Sequence, residues 1–317
     1  MFVVAPEVAV EHAVYDKVTG GTIKGADDLD ALTKQIYSRY SIWPERHDQL
    51  KMQWMEISLM YEDAFYDINY VYGVVLALKF YEMYTRDPQH FVPRYIDLMQ
   101  NGFDAPPATL LKRFLNIDLN DPRLVSDVLT VLEDKVNLLE QIARHADLYK
   151  RYQRLRAEQV KKITGSKEVN LWDMSVRAPG MQPPRYNIAE ASWIIRAALA
   201  PLGTEYGTEL AALLDPMNGR MDIVPGGHRK RGGFSKGFIG TDSIFFSSGF
   251  TGYYNDVRIL THESTHAVHR QLMNRNHVMP AYAEGPHYLF EAFAIFSESP
   301  TSTANSSNMA PNRMFTK

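Results

Sequence analysis

The sequence predicts a mainly α-helical protein that carries one small antiparallel β-sheet. Apolar residues recur at three-to-four spacing over most of the chain, which is typical of amphipathic helices. Glycine, aromatic and β-branched residues concentrate instead in residues 216–256, and this composition is typical of short strands and turns. With 317 residues, 45% of them hydrophobic, the chain is long enough to bury a substantial core as one large domain or two ordinary ones.

The composition excludes several classes of function. The chain has no cysteine, which excludes a disulfide framework, cysteine-ligated zinc, iron–sulfur clusters and a thiol nucleophile. The net charge of -3 gives no indication of a nucleic-acid partner. Apolar runs such as residues 71–78 are far shorter than the roughly 20 residues of a membrane span, and the first residues lack the features of a secretory signal. We therefore expect a cytoplasmic protein with no nucleic-acid or membrane partner.

Three amphipathic helices are predicted in the first hundred residues. The first covers residues 28–40, where apolar side chains lie on one side of the helix. Two more cover residues 70–85 and 91–100. Asp87-Pro88 between them marks a helix boundary, because proline favours the first turn of a helix and disfavours its interior.

Further helices are predicted in the middle of the chain. Pro122 opens a long helix with an apolar stripe that continues to Ile142. The charged residues 150–162 are interpreted as a solvated helix face, because acidic residues accompany the basic ones. Asn187 and Glu190 have the spacing of a capping box, so they predict the start of another helix.

Short strands are predicted in residues 223–224, 232–238 and 244–246, each bounded by turn residues. The glycines of this segment do not form a phosphate-binding loop pattern, so we interpret them as turn residues. Residues 299–317 are polar and low in complexity, and they predict a disordered tail.

The segment with a clear chemical signal has the sequence THESTH at residues 261–266. In a helix, His262 and His266 project from one face on adjacent turns, where both imidazoles can bind one metal ion. Glu263 lies beside them and can reach a water molecule on the metal. Nitrogen and carboxylate ligands with an open position favour zinc, so we expect one zinc ion per chain.

A third metal ligand is expected on a later helix, where Glu284, Glu291 and Glu298 recur every seven residues. We favour Glu291, because a carboxylate inside an apolar helix is rarely left without a partner. Glu284 precedes the predicted start of that helix, and Glu298 is alternatively interpreted as a hydrogen-bond partner of a ligand. His269 is interpreted as a packing residue or as such a partner.

The residues around these ligands resemble a known family. The phrases HESTHAVHRQLM and PAYAEGPHYLFEAFAIFSE resemble the M3 metallopeptidases, the thimet oligopeptidase and oligoendopeptidase F family. Glu291 falls where that family has its third zinc ligand. The segments GGFSKGFIGTDSIFFSSGFTGYYNDVRILT and LMYEDAFYDINYVYGVVLALKFYEMY resemble the edge strand and the tyrosine-rich segment of the family. The resemblance implies a helical metallopeptidase catalytic domain, with a deep channel that admits short peptides.

The order of these segments differs from that of the family. The tyrosine-rich segment precedes the zinc segment, so the chain resembles a circular permutation with its join near residues 144–151. This arrangement implies a region at residues 1–148 that resembles the carboxy-terminal part of the family, followed by a zinc-binding catalytic region at residues 149–298. Thr265 stands where the family usually has glycine, and we expect it to add bulk where a strand or substrate approaches.

These features predict a zinc-dependent endopeptidase that hydrolyses peptide bonds in oligopeptides, with Glu263 as general base. Tyr66, Tyr70 and Tyr72 are candidate donors to the oxyanion, or alternatively half-buried core residues. The substrate backbone could pair with the strand near Phe245 or with residues 249–252. The alternatives are a non-catalytic zinc-binding or interaction module derived from a rearranged peptidase, and a metal hydrolase with a non-peptide substrate.

Overall fold

The computed structural model describes residues 4–40, 47–57, 59–121, 123–124, 146–170, 173, 176, 183–224, 226–229, 232–238, 240–247 and 249–306. The protein is mainly helical with one small three-stranded sheet, so the predicted fold class is confirmed. The helices are α1 (Val4–Thr19), α2 (Ala26–Tyr40), α3 (Leu59–Glu62), α4 (Ile68–Arg86), α5 (Pro88–Asn101), α6 (Pro107–Leu115), α7 (Ala146–Thr164), α8 (Ile188–Leu199), α9 (Thr204–Leu213), α10 (Tyr254–Arg275) and α11 (His287–Ser306). The strands are β1 (Met221–Asp222), β2 (Gly233–Lys236) and β3 (Ile244–Ser247), and 3₁₀ helices span Asp48–Glu56, Ala200–Leu202 and Pro280–Tyr282.

The chain forms two compact units, one of residues 1–72 and 129–182 and the other of residues 73–128 and 183–317. Each unit has its own hydrophobic core. In the first unit, α1, α2 and the 3₁₀ helix Asp48–Glu56 pack together around Val10, Leu32, Ile36, Tyr37, Ile57 and Met60. In the second unit, α4, α5 and α11 contribute a cluster of aromatic rings, in which Phe80, Tyr95, Phe293 and Phe296 are in contact. The predicted regions 1–148 and 149–298 follow the family resemblance, and the predicted tail 299–317 follows from composition. That division stays a prediction.

Helix ends agree closely with the sequence signals. The carboxylate of Asp87 accepts a hydrogen bond from the His90 amide at the start of α5, so the predicted boundary between α4 and α5 is confirmed. At the start of α8, Asn187 accepts from the Glu190 amide at 2.9 Å and Glu190 accepts from the Asn187 amide at 2.8 Å. Both satisfy amide groups that the first helical turn leaves without partners.

The sheet differs from the expectation in one strand pair. β2 and β3 are antiparallel, with Gly233 opposite Ser247, whereas β1 and β3 are parallel, with Met221 opposite Phe245. The spatial order is β1, β3, β2. The chain forms the edge strand β2 before it returns through the centre of the sheet, so β3 runs in the same direction as β1. The sheet is therefore mixed, and β1 lies two residues before the predicted strand.

Other differences from the predicted helices lie at the two ends and in the middle of the chain. α1 is a helix that the sequence signals do not single out. The predicted helix from Pro122 to Ile142 lies mostly outside the described residues. α11 continues through Pro300 to Ser306, so the first part of the predicted tail is helical, and residues 307–317 lie outside the described residues. Among the helices that the structure describes, none is both long and apolar enough to cross a membrane.

Candidate metal centre

α10 carries the HExxH segment in the middle of the second unit. Its first turn is anchored by Asp256, whose carboxylate accepts hydrogen bonds from the amides of Thr251 at 2.8 Å and Tyr253 at 3.2 Å. One side of the helix, including Val268 and Leu272, is completely buried and packs against α5, α9 and α11. A helix held on this side presents its remaining face in a defined direction.

Three side chains on α10 and α11 converge. The Nε2 atoms of His262 and His266 lie 3.2 Å apart. The Glu291 carboxylate lies 3.2 Å from Nε2 of His262 and 3.6 Å from Nε2 of His266. A tetrahedral zinc ion with bonds of about 2.0–2.2 Å places its ligand atoms about 3.3–3.6 Å from one another. The three residues therefore fit one metal ion, and they are the group with that property among the described residues.

Glu298 lies next to this group and orients one of the candidate ligands, His262. Its carboxylate is 2.8 Å from Nδ1 of His262 and accepts a hydrogen bond from Arg258 at 3.0 Å. A hydrogen bond at Nδ1 leaves the other ring nitrogen of a histidine free to bind a metal. Burial raises the pKa of Glu298, but contacts with His262 and Arg258 outweigh it and hold that pKa below its ordinary value of 4.5. Glu298 therefore stays ionised and can hold the imidazole.

The pKa values of His262 and His266 are shifted in opposite directions. Burial lowers the pKa of His262, but hydrogen bonds to Glu291 and Glu298 outweigh it and raise that pKa to about 10. Burial, followed by the neighbouring charge of His262, lowers the pKa of His266 well below 6.5. A proton on His262 therefore offsets the negative charges of Glu291 and Glu298, as a bound cation would.

Glu284 lies apart from the three converging residues. Its side chain is 77% exposed, and its carboxylate is 3.3 Å from Nη1 of Arg270. Of the three acidic residues at seven-residue spacing, only Glu291 therefore joins the group that fits a metal.

Glu263 is buried beside the ligands, where β2 covers it. Gly233 of β2 packs so closely that a Cβ atom there would lie 2.7 Å from Oε1 of Glu263. Burial raises the pKa of Glu263, the nearby His262 lowers it, and the charges of Glu291 and Glu298 raise it, so that the pKa is about 7. A carboxyl group with this pKa can both accept and donate a proton near neutral pH.

His269 and Thr265, which also lie on α10, are both buried in the protein interior. His269 is buried against the rings of Phe103, Phe290 and Phe293, and burial lowers its pKa to about 3. This agrees with its interpretation as a packing residue. Thr265 is also completely buried, and its hydroxyl is 3.2 Å from the Tyr206 hydroxyl of α9. The Thr265 hydroxyl therefore packs against a neighbouring helix, and the expectation that this residue adds bulk where a strand or substrate approaches stays a prediction.

Gly73 is a site residue that the sequence analysis missed. A Cβ atom at this position in α4 would lie 2.9 Å from Cβ of Glu291 and 3.3 Å from the Tyr288 carbonyl oxygen. Glycine therefore allows α4 to pack against the backbone that positions Glu291. A glycine within an apolar helical run is a signal that could have identified it.

The expectation that the substrate backbone pairs with the strand near Phe245 is wrong. β3, which contains Phe245, lies between β1 and β2, so its backbone groups are already paired on both sides. In the loop at residues 249–252, the Gly252 carbonyl accepts a hydrogen bond from the Tyr186 amide at 2.8 Å. β2, in contrast, pairs only with β3 among the described strands.

The tyrosines proposed as oxyanion donors belong to the first unit. Tyr66 precedes α4, and Tyr70 and Tyr72 lie in its first turns. The rings of Tyr66 and Tyr70 meet edge to face at 5.7 Å, and Tyr72 is 54% exposed. Their role in catalysis stays a prediction.

Comparisons with known proteins contribute little to the assignment. No known family profile matches the chain, and no curated protein matches it. Among solved structures, the chain is similar to a "putative peptidase" from Chlamydophila abortus, with 24% identity and a TM-score of 0.36. The match covers 53% of this chain and 27% of that one, so the chain spans about a quarter of that protein.

Proposed function

We propose that this protein is a zinc-dependent endopeptidase that hydrolyses peptide bonds in oligopeptides. The observation that carries the proposal is the convergence of His262, His266 and Glu291 at distances that suit one tetrahedral ion. Two further features support it. Glu263 is buried next to the ligands with a raised pKa, and Glu298 holds the ligand His262 through Nδ1.

The chemistry assigns a separate role to each residue. Zinc bound by the three ligands would supply a Lewis acid and lower the pKa of water. Glu263 accepts a proton from the water as its oxygen bonds to the scissile carbonyl carbon. Glu263 then donates that proton to the leaving nitrogen as the carbon–nitrogen bond breaks. Because Glu263 and His262 are adjacent on α10, a single rigid helix positions both the base and a ligand.

The edge of β2 is the surface that suits an extended peptide. β2 packs against Glu263 through Gly233, and its pairing with β3 leaves its other edge without a strand partner among the described residues. An extended peptide can add to such an edge through its backbone groups. A scissile bond would then lie beside the base.

Tyr66, Tyr70 and Tyr72 remain the proposed donors to the oxyanion. Removal of one such hydroxyl by a Tyr→Phe substitution should reduce kcat by on the order of 10²- to 10³-fold and leave the zinc content unchanged. If all three phenylalanine variants cleave peptides at the parental rate, these tyrosines have no part in the reaction.

The proposal is tested by measuring zinc content and peptide cleavage on the same preparation. We expect one zinc ion per chain and cleavage of a quenched fluorescent peptide library that a chelator abolishes. Stoichiometric zinc without cleavage would instead support the alternative, a non-catalytic zinc-binding or interaction module. A protein that binds no zinc would contradict both.

The choice of third ligand has its own matched series of variants. Glu291→Ala should lose zinc, because it removes a ligand. Glu298→Ala should weaken zinc binding by about 10- to 100-fold, because His262 loses the group that orients it. Glu284→Ala should leave zinc binding unchanged, since this exposed side chain lies apart from the ligands. Loss of zinc in Glu284→Ala but not in Glu291→Ala would overturn the assignment.

A further inference from the structure

A cavity of about 200 Å³ lies on α10 beyond the metal ligands. Its apolar wall includes Phe238, Met273 and Val278, and charged groups from Arg270 and Glu284 also line it. The proposed chemistry uses none of these residues. The cavity is large enough for one side chain or for the end of a peptide.

Arg270 connects this cavity to the candidate metal centre. It follows His266 by four residues on α10, so both side chains project from the same face, about 6 Å apart along the helix axis. Its guanidinium lies over the ring of Phe290 at 5.1 Å, and its side chain is only 22% exposed. A cation is thus held in a largely apolar setting next to the site.

The charge of Arg270 has a weak partner. The Glu284 carboxylate lies 3.3 Å from Nη1, and the Glu284 side chain is 77% exposed. Nε of Arg270 is buried and has no hydrogen-bond partner among the described residues. A guanidinium in apolar surroundings normally makes several charge-assisted hydrogen bonds. The exposed Glu284 carboxylate therefore lies where a carboxylate partner of Arg270 is expected, but it leaves part of the guanidinium without a hydrogen-bond partner among the described residues.

We propose that Arg270 is a specificity-determining residue that binds a carboxylate of the peptide substrate, and that the ligand takes the place of Glu284. The proposal rests on the peptidase function proposed above. A bidentate carboxylate matches the planar fork of arginine, and the apolar wall suits the methylene groups of an acidic side chain. The carboxylate belongs either to an acidic side chain or to the carboxyl terminus of the peptide.

The strand geometry limits where this carboxylate lies along the peptide. β2 passes Glu263 at Gly233, and Gly237 just after it lines the cavity. The rise from Glu263 to Arg270 along α10 is about 10 Å, which an extended peptide spans in about three residues. The recognised carboxylate should therefore lie two to four residues from the scissile bond.

The experiment compares peptides that differ in one charge. Quenched peptides of one length carry Glu or Gln at each position within four residues of the scissile bond, and a further pair ends in a free carboxylate or an amide. We expect zinc-loaded wild-type protein to prefer one Glu peptide, or the free carboxylate, by on the order of 10-fold in kcat/KM. The difference should lie in KM, because the contact is remote from the reacting bond.

Variants at the cavity identify the residue responsible. Arg270→Gln should abolish the preference, Arg270→Lys should retain part of it, and Glu284→Gln should increase it by removing the competing carboxylate. Arg113→Gln serves as the control, because Arg113 is a surface residue of α6 that does not line the cavity. If Arg270→Gln fails to fold, the lysine and Glu284 variants still test the proposal.

The outcomes separate this proposal from the peptidase assignment. Cleavage with equal kcat/KM for every Glu and Gln pair and for both termini would overturn the role of Arg270 and leave the peptidase function intact. A preference that survives in Arg270→Gln would also overturn it. Failure of the zinc-loaded protein to cleave any peptide would contradict both proposals.

Discussion

Buried carboxylates occur in both units of the protein, but their surroundings differ. In the second unit, Glu291 and Glu298 both face His262, and Glu298 also pairs with Arg258. In the first unit, the buried acids Glu11 and Asp67 face other carboxylates instead. The same chemical group therefore experiences attraction in one place and repulsion in the other.

Two acidic groups of the first unit, Asp67 and Glu7, have pKa values raised above their ordinary values. Burial and then the charge of Glu11 raise the pKa of Asp67, and burial with the charges of Asp67 and Glu56 raises that of Glu7. Glu11 is 1% exposed; its Oε1 accepts a hydrogen bond from the Phe65 amide at 2.6 Å, and its Oε2 has no hydrogen-bond partner among the described residues.

The two sets of acidic groups therefore differ in their capacity to hold a cation. Imidazole nitrogens beside Glu291 offer further ligand atoms, and His262 with Arg258 keeps Glu298 ionised, so these groups of the second unit could hold a cation. The carboxylates that the structure describes in the first unit are not among the groups whose ligand atoms converge.

The largest expected effect is loss of the metal itself. His262→Ala and His266→Ala should each abolish stoichiometric zinc binding and peptide cleavage, because two ligands are left where three are needed. His228→Ala, an exposed histidine in the turn before β2, should change neither. Elemental analysis after gel filtration measures the zinc content. Full zinc occupancy in both α10 variants would show that the ion binds elsewhere.

The next effect separates binding from chemistry. Glu263→Gln should retain zinc but reduce turnover by about 10²- to 10⁴-fold, because the variant keeps the shape of the side chain and removes the proton acceptor. Glu205→Gln, an exposed residue of α9, is the matched control. Single-turnover kinetics on zinc-loaded protein measures the change. Parental turnover in Glu263→Gln would require another base.

A pair of glycines tests how precisely the third ligand must be placed. Gly73→Ala should weaken zinc binding by about 10- to 100-fold, because the new Cβ atom displaces Glu291. Gly207→Ala in α9 meets nothing within 4 Å, so it should leave zinc binding unchanged and stabilise the protein by about 0.5–1 kcal/mol. Isothermal titration with zinc compares the two variants. Equal zinc affinity in both would show that the site adapts to the added methyl group.

The smallest effect concerns the acidic groups of the first unit. Because the folded-state pKa of Asp67 is raised, its carboxyl costs no stability while it is protonated at low pH. It destabilises the folded state as the pH rises through that pKa. Asp67→Asn should therefore raise the thermal midpoint near pH 8 but not near pH 3.5, and asparagine still suits the residue before a helix.

Thermal denaturation in the presence of a chelator measures this effect without a contribution from the metal site. Asp16→Asn, an exposed residue of α1, is the control and should show no such pH dependence. A lower midpoint for Asp67→Asn at pH 8 would show that the Asp67 charge is stabilising.

Local signals in the sequence determined several features of this protein. The capping residues Asn187 and Glu190 predicted a helix start, and the four-residue spacing of His262 and His266 placed both on one face of α10. These features depend on contacts within one helical turn, so the periodicity of the helix is sufficient to predict them.

Tertiary structure decided the features that depend on distant segments. The seven-residue spacing placed Glu284, Glu291 and Glu298 among the candidates, and the apolar helix around Glu291 favoured that residue. The packing of α11 on α10 then brought Glu291 to the two imidazoles and Glu298 to Nδ1 of His262, whereas Glu284 lies exposed beside Arg270. The close approach of Gly73 to Glu291 likewise joins segments far apart in the chain. Helix periodicity specifies which side chains share a face, but the neighbour of that face is set by the packing of the whole core.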